Sequence, residues 1–309
     1  MFLVLLTLIV NTAGAIFVQY SWRLTHWDPP TVLAIAESIK CILAYALWKR
    51  SGSRFDSNRL LYFAAPGLLY SILNIANGYA FKYLPVHLIV TVANLKILWV
   101  MILSRIYLHK TFSKKQYYAA AVIIVGLVVI TTKSTTNRQD KVMVAVIYGL
   151  FASIISSMAG TLCEYVYTKS PEENIHAQNI KLYAFGTIFN TLILFLKGGP
   201  HRIEHWSVYI LIIYYALSGI VISFVMKSLG NVVRNLLGAL TLISISICSY
   251  FILGNNLTIQ FVIGGTIVII GMIIYNLSNT TEQISDTTEQ ISDEQIDIEN
   301  QKVGKKLNS

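Results

Sequence analysis

The sequence predicts an all-α integral membrane protein with ten transmembrane helices arranged as a 5+5 inverted repeat. The 309 residues are 55% hydrophobic and only 13% charged, and their mean hydropathy is +0.59. Soluble globular domains carry about 25% charged residues. The apolar residues gather in stretches near the ~20 residues that a helix needs to cross a bilayer. Short connections between these stretches leave no room for a large soluble domain.

The ten predicted helices follow one another along residues 1–278. The first could be taken for a signal peptide, but no basic region precedes it and its apolar run continues to Tyr20. We therefore expect a retained helix. The predicted segments are 2–21, 30–48, 60–79, 85–106, 115–132, 142–167, 178–196, 207–226, 234–253 and 258–277.

Positive charge in the loops predicts the orientation of these helices. The two densest groups of Lys and Arg lie within 49–59 and 105–115, after the second and fourth predicted helices. Cytoplasmic loops of membrane proteins carry an excess of such residues. This bias predicts that both termini lie in the cytosol.

A faint internal repeat supports two halves of five helices. The segments 111–130 and 255–274 each show Ser or Thr, then Gln, then an apolar run that contains glycine. Two five-helix halves must have opposite orientations, and secondary transporters built in this way bind substrate near the midplane.

The tail, 279–309, has a different composition from the transporter domain, 1–278. TTEQISD occurs at 280–286 and again at 287–293, with isoleucine recurring every seven residues. One apolar position per heptad is too few for a coiled coil. We expect a disordered, solvated cytosolic tail.

Several functional classes are excluded by what the sequence lacks. Cys41, Cys163 and Cys248 all fall in apolar segments and resemble small core residues, so neither a disulfide framework nor a metal site is expected. The histidines are scattered, and no phosphate-binding loop of the G-x-x-x-x-G-K-[ST] type is present. We expect no enzyme activity and no cofactor. The net charge of +9 is explained by the basic loops, so nucleic acid is not an expected partner.

Lys96 is the most informative residue, because it lies near the middle of the predicted helix 85–106. A charge there costs about 3 kcal/mol on insertion scales. Two interpretations remain open. Lys96 pairs with a carboxylate on another helix, such as Glu164, or it faces a cavity that receives an anionic substrate.

Other polar residues within apolar segments fall into pairs at helical spacing. Glu37 and Lys40 share a face, either as a self-neutralising ion pair or as part of a gate. Asn74 and Asn77 share a face of another helix. Their amides form helix–helix hydrogen bonds, or they contact a base or ribose. A third group is formed by Asn179 and Tyr183, and a fourth by Lys227, Asn231 and Arg234. In the last group a helix N-terminus would add to the attraction for phosphate. For Lys227 we favour a basic loop residue that follows the positive-inside rule, and for Arg234 a site residue.

These segments together resemble the nucleotide-sugar transporters of the drug/metabolite transporter superfamily, in the branch for CMP-sialic acid, UDP-galactose and UDP-N-acetylglucosamine. The resemblance covers residues 2–277. The motifs that carry it are AESIK (36–40), ANLKILWVMILSRIYLHKTFSKKQ (93–116), AGTLCEYVY (159–167), QNIKLYAFG (178–186) and KSLGNVVRNLLGAL (227–240).

The resemblance implies an antiporter that imports a pyrimidine nucleotide sugar into the Golgi or endoplasmic reticulum lumen and exports the nucleoside monophosphate. It implies a nucleotide site lined by Lys96, Arg234, Asn74, Asn179, Tyr183 and Asn231. Gating or ion-pair roles are expected for Glu37, Lys40 and Glu164. The expected partners are the nucleotide sugar, the nucleoside monophosphate and the lipid bilayer.

The chain departs from the family pattern at four positions. Arg234 replaces a lysine, Gly230 stands where an acidic residue is usual, Tyr165 replaces a lysine, and Ile75 follows Asn74 in place of a second asparagine. These departures leave the identity of the base and sugar open. Two other functions also remain open: a permease for another phosphorylated or organic solute, and a membrane scaffold that uses the tail.

Overall fold

The described residues form an all-helical protein without a β-strand. The computed structural model describes residues 2–83, 92–131, 139–253, 259–275 and 277–278, so the predicted tail lies outside the described residues. The helices are α1 (Phe2–Leu24), α2 (Pro29–Ser51), α3 (Ala64–Tyr83), α4 (Lys96–Tyr107), α5 (Lys114–Thr131), α6 (Gln139–Thr168), α7 (Ile175–Leu196), α8 (Trp206–Leu253) and α9 (Ile259–Tyr275). A 3₁₀ turn, Leu60–Phe63, precedes α3.

The membrane character predicted from composition is confirmed by the helices. Six described segments are long and apolar enough to cross a bilayer, and Ile259–Tyr275 is a shorter apolar helix. The six are Leu3–Trp22, Pro29–Ser51, Leu60–Ala80, Met143–Thr168, Ile175–Leu196 and Trp206–Thr241. The count of ten helices and the orientation of the termini remain predictions.

Local sequence explains where α2 begins and ends. Asp28 caps its N-terminus, with its carboxylate accepting from the Thr31 backbone N–H, and prolines occupy the first two helical positions. Gly52 ends it in the left-handed conformation, φ 63°. Both signals are ordinary helix boundaries.

The predicted continuous helix 85–106 is wrong in its described part. Asn94 and Leu95 form a turn, and α4 begins at Lys96. The Leu95 N–H bonds to the Val92 carbonyl and the Ile97 N–H to that of Asn94, a three-residue spacing tighter than in an α-helix. Lys96 therefore lies at a helix start rather than in mid-helix. The beginning of the predicted segment, 85–91, lies outside the described residues.

The predicted helices 207–226 and 234–253 meet without a loop between them. α8 is helical through this region and is broken only at Gly230, where φ is 81° and ψ is 168°. That conformation is essentially restricted to glycine. The junction is therefore a one-residue break, and Asn231 and Arg234 lie on the first turns of the second half of α8.

The described helices pack into three apolar clusters. α2 packs along α7, and α1 packs along α8. The first cluster joins α4, α5, α8 and α9, the second joins α2, α6, α7 and α8, and the third lies where α1 and α2 meet α8. The second cluster borders the candidate site.

The two segments of the faint sequence repeat contact each other. A Cβ at Gly126 of α5 would lie 2.7 Å from the Gly264 carbonyl oxygen of α9, and one at Gly271 would lie 3.1 Å from the Ala119 carbonyl oxygen. Small residues allow this close approach of helix backbones. The inverted repeat itself remains a prediction.

The loops 52–59, 108–113 and 169–174 gather at one end of the bundle, here called the basic end. Arg59 donates to the Lys169 carbonyl and to Ser170 Oγ. Lys181, which is fully buried, donates to both Glu173 carboxylate oxygens, at 2.7 and 2.9 Å. Lys227 donates to the Glu173 carbonyl and to Gln178. These contacts fasten the α6–α7 loop to its neighbours.

The opposite end contains the loops 25–28 and 197–205. Lys197 donates to the Asp28 carboxylate at 2.7 Å and to the Tyr79 hydroxyl, which joins the ends of α2, α3 and α7. Burial raises the pKa of Asp28, but hydrogen bonds from Lys197 and Thr31 outweigh it, so the net pKa lies below its ordinary value of 3.8. Burial lowers the pKa of Lys197, but hydrogen bonds with Asp28 and Tyr79 raise it above 10.5.

The break at Gly230 gives the first prediction. Gly230→Ala places a side chain in a glycine-only conformation, with its Cβ 2.6 Å from Glu164 Oε1. The expected loss is at least about 1–3 kcal/mol of stability, seen as a lower Tm of the purified protein. Gly238→Ala is the matched control, because Gly238 lies on the same helix and a Cβ there would meet nothing within 4 Å. Equal melting temperatures for the two variants would contradict the assigned break.

The Asp28–Lys197 pair gives a prediction about pH. Because the pKa of Asp28 is lowered in the folded protein, its carboxylate contributes stability that is fully present above pH 3.8. This contribution is lost as the pH falls through the pKa of the folded state. The contribution of the Lys197 ammonium to stability is fully present below pH 10.5, because its pKa is raised in the folded protein. The Tm difference between wild type and Asp28→Asn should therefore be constant from about pH 5 to 8 and shrink at lower pH. Glu172→Gln serves as the control, because Glu172 is an exposed carboxylate away from this pair. If the Tm difference between wild type and Asp28→Asn grows on acidification, the Asp28–Lys197 pair does not stabilise the fold.

Candidate functional site

A cavity of about 230 Å³ lies within the bundle, between α2, α3, α6, α7 and α8. Five predicted site residues line it: Glu37, Lys40, Asn74, Tyr183 and Arg234. They come from four helices that are far apart in sequence. The structure therefore brings together five of the nine residues predicted for substrate binding, gating or ion pairing.

Glu37 and Lys40 form the ion pair that their spacing predicts. Lys40 Nζ lies 2.5 Å from Glu37 Oε1, and both side chains are about nine-tenths buried. The Lys40 ammonium also lies 4.9 Å from the Tyr183 ring centroid, and the Tyr183 hydroxyl donates to the Gly219 carbonyl at 3.1 Å. The two charges neutralise each other on one wall of the cavity.

Arg234 enters the cavity without a carboxylate partner among the described residues. Its Nη1 donates to the Tyr70 hydroxyl at 2.9 Å and to Asn231 Oδ1 at 3.4 Å, and its guanidinium lies 5.6 Å from the Tyr70 ring centroid. These neutral partners orient the guanidinium but leave its charge uncancelled. Asn231 itself is fully buried and does not line the cavity.

Lys96 lies beside this site rather than on the cavity wall. It is partly buried and forms no ion pair in the described part of the chain. The alternative that paired it with Glu164 is wrong, because Glu164 binds Lys110 at 2.6 Å. α4, which begins at Lys96, packs against the second half of α8, on which Arg234 lies.

The asparagines of α3 and α7 differ in their environments. Asn74 lines the cavity, whereas Asn77 accepts a hydrogen bond from the Tyr148 hydroxyl at 2.8 Å. Asn179 is buried behind the wall, where it accepts from Tyr167 Oη at 2.7 Å and donates to Ser223 Oγ at 2.8 Å. Tyr167 and Ser223 line the cavity in its place.

Sequence reasoning missed several cavity residues that carry hydroxyl groups or a thiol. Helical spacing offered a signal for two of them, since Tyr70 lies one turn before Asn74 and Cys163 one turn before Tyr167. Tyr167 lies on α6, one turn after Cys163. Four others lie on α8, where an almost uniformly apolar sequence hides which face is inward. The missed residues are Tyr70, Ser71, Cys163, Tyr167, Tyr214, Tyr215, Ser218 and Ser223.

Metal chemistry finds no support in the described residues. They contain no group of three His, Cys, Asp or Glu side chains placed to hold an ion. The three cysteines are free. The polar groups of the cavity are instead suited to binding an anionic organic molecule with hydrogen-bonding groups.

Comparison with known proteins decides the family. The sequence model for the nucleotide-sugar transporters matches residues 1–276. The chain belongs to the nucleotide-sugar transporter family. Proteins of this family are carriers, so the chain is a multi-pass membrane transporter and not an enzyme.

Individual relatives agree with this assignment. A CMP-sialic acid transporter 2 of Oryza sativa subsp. indica is 26% identical over 299 residues, covering 89% of this chain and 83% of the relative. A CMP-sialic acid transporter 4 of Arabidopsis thaliana is 26% identical over 293 residues, covering 87% and 82%. A solved crystal structure superposes with a TM-score of 0.68 at 14% identity, covering 89% of this chain and 96% of the other, which shows a shared fold.

In this nucleotide-sugar transporter, the ion pair on the cavity wall gives a prediction about stability. Lys40→Met leaves Glu37 buried and unpaired, and removing one partner of a buried pair costs about 3–5 kcal/mol. Glu37→Gln/Lys40→Met removes both charges and should melt at a higher temperature than Lys40→Met alone. Thermal melts of the wild type and of these two variants form the test. A double variant less stable than Lys40→Met would contradict a mutually neutralising pair.

Proposed function

We propose that this transporter exchanges a pyrimidine nucleotide sugar for the corresponding nucleoside monophosphate across the Golgi membrane, with the endoplasmic reticulum as the alternative compartment. The cargo would be a UDP-sugar, such as UDP-galactose or UDP-N-acetylglucosamine, or CMP-sialic acid. The curated relatives are named for CMP-sialic acid. The basic end, which carries the loops richest in Lys and Arg, would face the cytosol.

One observation carries this proposal: Arg234 lines the cavity, Lys96 begins the helix packed beside it, and no described carboxylate pairs with either. Buried charge is costly unless it is paired. The phosphate of a nucleotide would supply the missing negative charge. Arg234 offers a planar fork suited to bidentate phosphate binding, whereas Lys96 acts as a point charge.

The remaining polar residues have roles that fit their positions. Asn74 and Tyr183, on the cavity wall, would contact the base and ribose. Asn179 would act by holding Tyr167 and Ser223 in place, and Asn231 by orienting Arg234 through its amide oxygen. Glu37 and Lys40 would stabilise one conformation of the wall.

Exchange follows from the same charges. An empty carrier would have to reorient with two cations uncompensated in a low-dielectric interior, which is unfavourable. A bound nucleotide on either side would neutralise them and permit reorientation. This account favours exchange over uniport.

The proposal is tested by thermal stabilisation of the purified protein with UMP, CMP, GMP and AMP. A ligand at about 100 times its Kd adds about 2.7 kcal/mol of stability to the folded state. We expect one pyrimidine monophosphate to raise the Tm, and Arg234→Ala and Lys96→Ala each to abolish the shift. Lys114→Ala, which removes an exposed lysine at the basic end, should leave it intact.

Two outcomes would count against the proposal. If no nucleotide shifts the melt of a folded protein, a permease for another solute becomes the better interpretation. If a nucleotide binds, but uptake of the nucleotide sugar into proteoliposomes is equal with and without nucleoside monophosphate inside, then the exchange mechanism is wrong while the site stands.

A further inference from the structure

Three unusual features converge beside the break in α8. Gly230 has φ 81° and ψ 168° within a long helix. His109 is, among the described residues, the only non-glycine residue with positive φ, at 54°. Glu164 Oε2 is buried without a hydrogen-bond partner. Strained backbone and unsatisfied polar groups of this kind cluster at switch regions.

These features meet at one ion pair. The chain turns at His109 after α4 and places Lys110 Nζ 2.6 Å from Glu164 Oε1 on α6. A Cβ on Gly230 of α8 would lie 2.6 Å from that oxygen and 3.2 Å from Lys110 Nζ. The pair therefore joins the segment after α4 to α6 and lies directly against the break in α8.

The two partners face different environments. The Lys110 side chain is 39% exposed, at the basic end, whereas that of Glu164 is 4% exposed. Cys163, the residue before Glu164, is buried and lines the cavity. The ion pair thus stands between water at the basic end and the cavity wall.

The break is also close to the site itself. Asn231 follows it directly and packs so closely on α6 that a Cβ at Gly160 would lie 2.5 Å from its amide atoms. Arg234 lies four residues beyond Gly230, on the second half of α8. A pivot at Gly230 would move Arg234 together with this segment.

We infer that Lys110 and Glu164 form a latch that closes the cavity at the basic end, with Gly230 as the pivot of the segment that opens. Release of Lys110 frees the carboxylate and lets the second half of α8 move away from α6. The inference rests on the proposed function only in taking the cavity as the site of the transported molecule. The latch itself is present without any ligand.

Cys163 provides a direct readout of the latch. In a background carrying Cys41→Ala and Cys248→Ala it is the only remaining thiol, because the chain has three cysteines. A water-soluble methanethiosulfonate reagent reaches it when the cavity opens, with formation of a mixed disulfide and release of sulfinate. When opening is fast relative to modification, the modification rate follows the population of the open form.

The experiment measures the modification rate of Cys163 in the detergent-purified full chain without nucleotide. Lys110→Met and Glu164→Gln should each raise the rate about tenfold, a change equivalent to about 1.4 kcal/mol in the closed–open equilibrium. The double variant should show no further increase, since both changes remove the same contact. Lys115→Met, at an exposed lysine that forms no ion pair in the described structure, should leave the rate unchanged.

Several results would overturn the latch. The latch is wrong if either Lys110→Met or Glu164→Gln leaves the modification rate unchanged. A cooperative melt must show that this variant is folded. An equal increase in Lys115→Met would attribute the effect to general surface charge. Because no nucleotide is present, failure of the latch is distinguishable from failure of nucleotide binding, which the thermal-shift experiment measures separately.

Discussion

The cost of carrying charge in an apolar interior decides the arrangement of this transporter. Among the described residues, the buried carboxylates Glu37, Glu164 and Glu173 each form an ion pair with a different lysine. Those lysines are Lys40, Lys110 and Lys181. Once these pairs form, no buried carboxylate remains for Lys96 or Arg234. Among the described residues, the pairing elsewhere in the bundle thus leaves these two cations without a carboxylate, which is why we propose that an anion binds there.

The two uncompensated cations both lie next to interruptions of helices. α4 begins at Lys96 after the turn at Asn94 and Leu95, and α8 restarts just before Arg234. A helix N-terminus carries a partial positive charge, so each interruption adds to the side-chain charge near it. Discontinuous helices near the midplane are the usual substrate sites of secondary transporters. The same glycine that breaks α8 also allows Glu164 to approach it, so the site and the latch depend on one backbone feature.

The sequence predicted the membrane helices well, because hydropathy over ~20 residues is a local property that tertiary contacts rarely override. It also predicted the Glu37–Lys40 pair, since both members lie on one helix face. The Lys110–Glu164 and Lys181–Glu173 pairs were not predicted. The first joins residues 54 positions apart and has no local signal, and the second depends on how the loop after α6 folds back.

The interruptions show a second limit of sequence reasoning. The run around Lys96 is apolar enough to predict a continuous helix, and only packing shows that the backbone turns at Asn94. At Gly230 the departure from the family pattern was visible in the sequence, but its meaning was not. A glycine there is explained by the positive φ and by the carboxylate 2.6 Å from its missing Cβ, and both are properties of the folded chain.

The other departure, arginine in place of lysine at position 234, bears on exchange. A lysine can lose its proton when it is buried, and an empty site could then reorient without a charge. The guanidinium keeps its charge at any physiological pH, and its stacking on Tyr70 and hydrogen bond to the tyrosine hydroxyl hold it in the cavity. An empty carrier with Arg234 therefore always retains at least one uncompensated cation. If reorientation requires neutralisation, as we propose, the substitution makes the requirement for a bound anion stricter, and the coupling between import and export should be correspondingly tight.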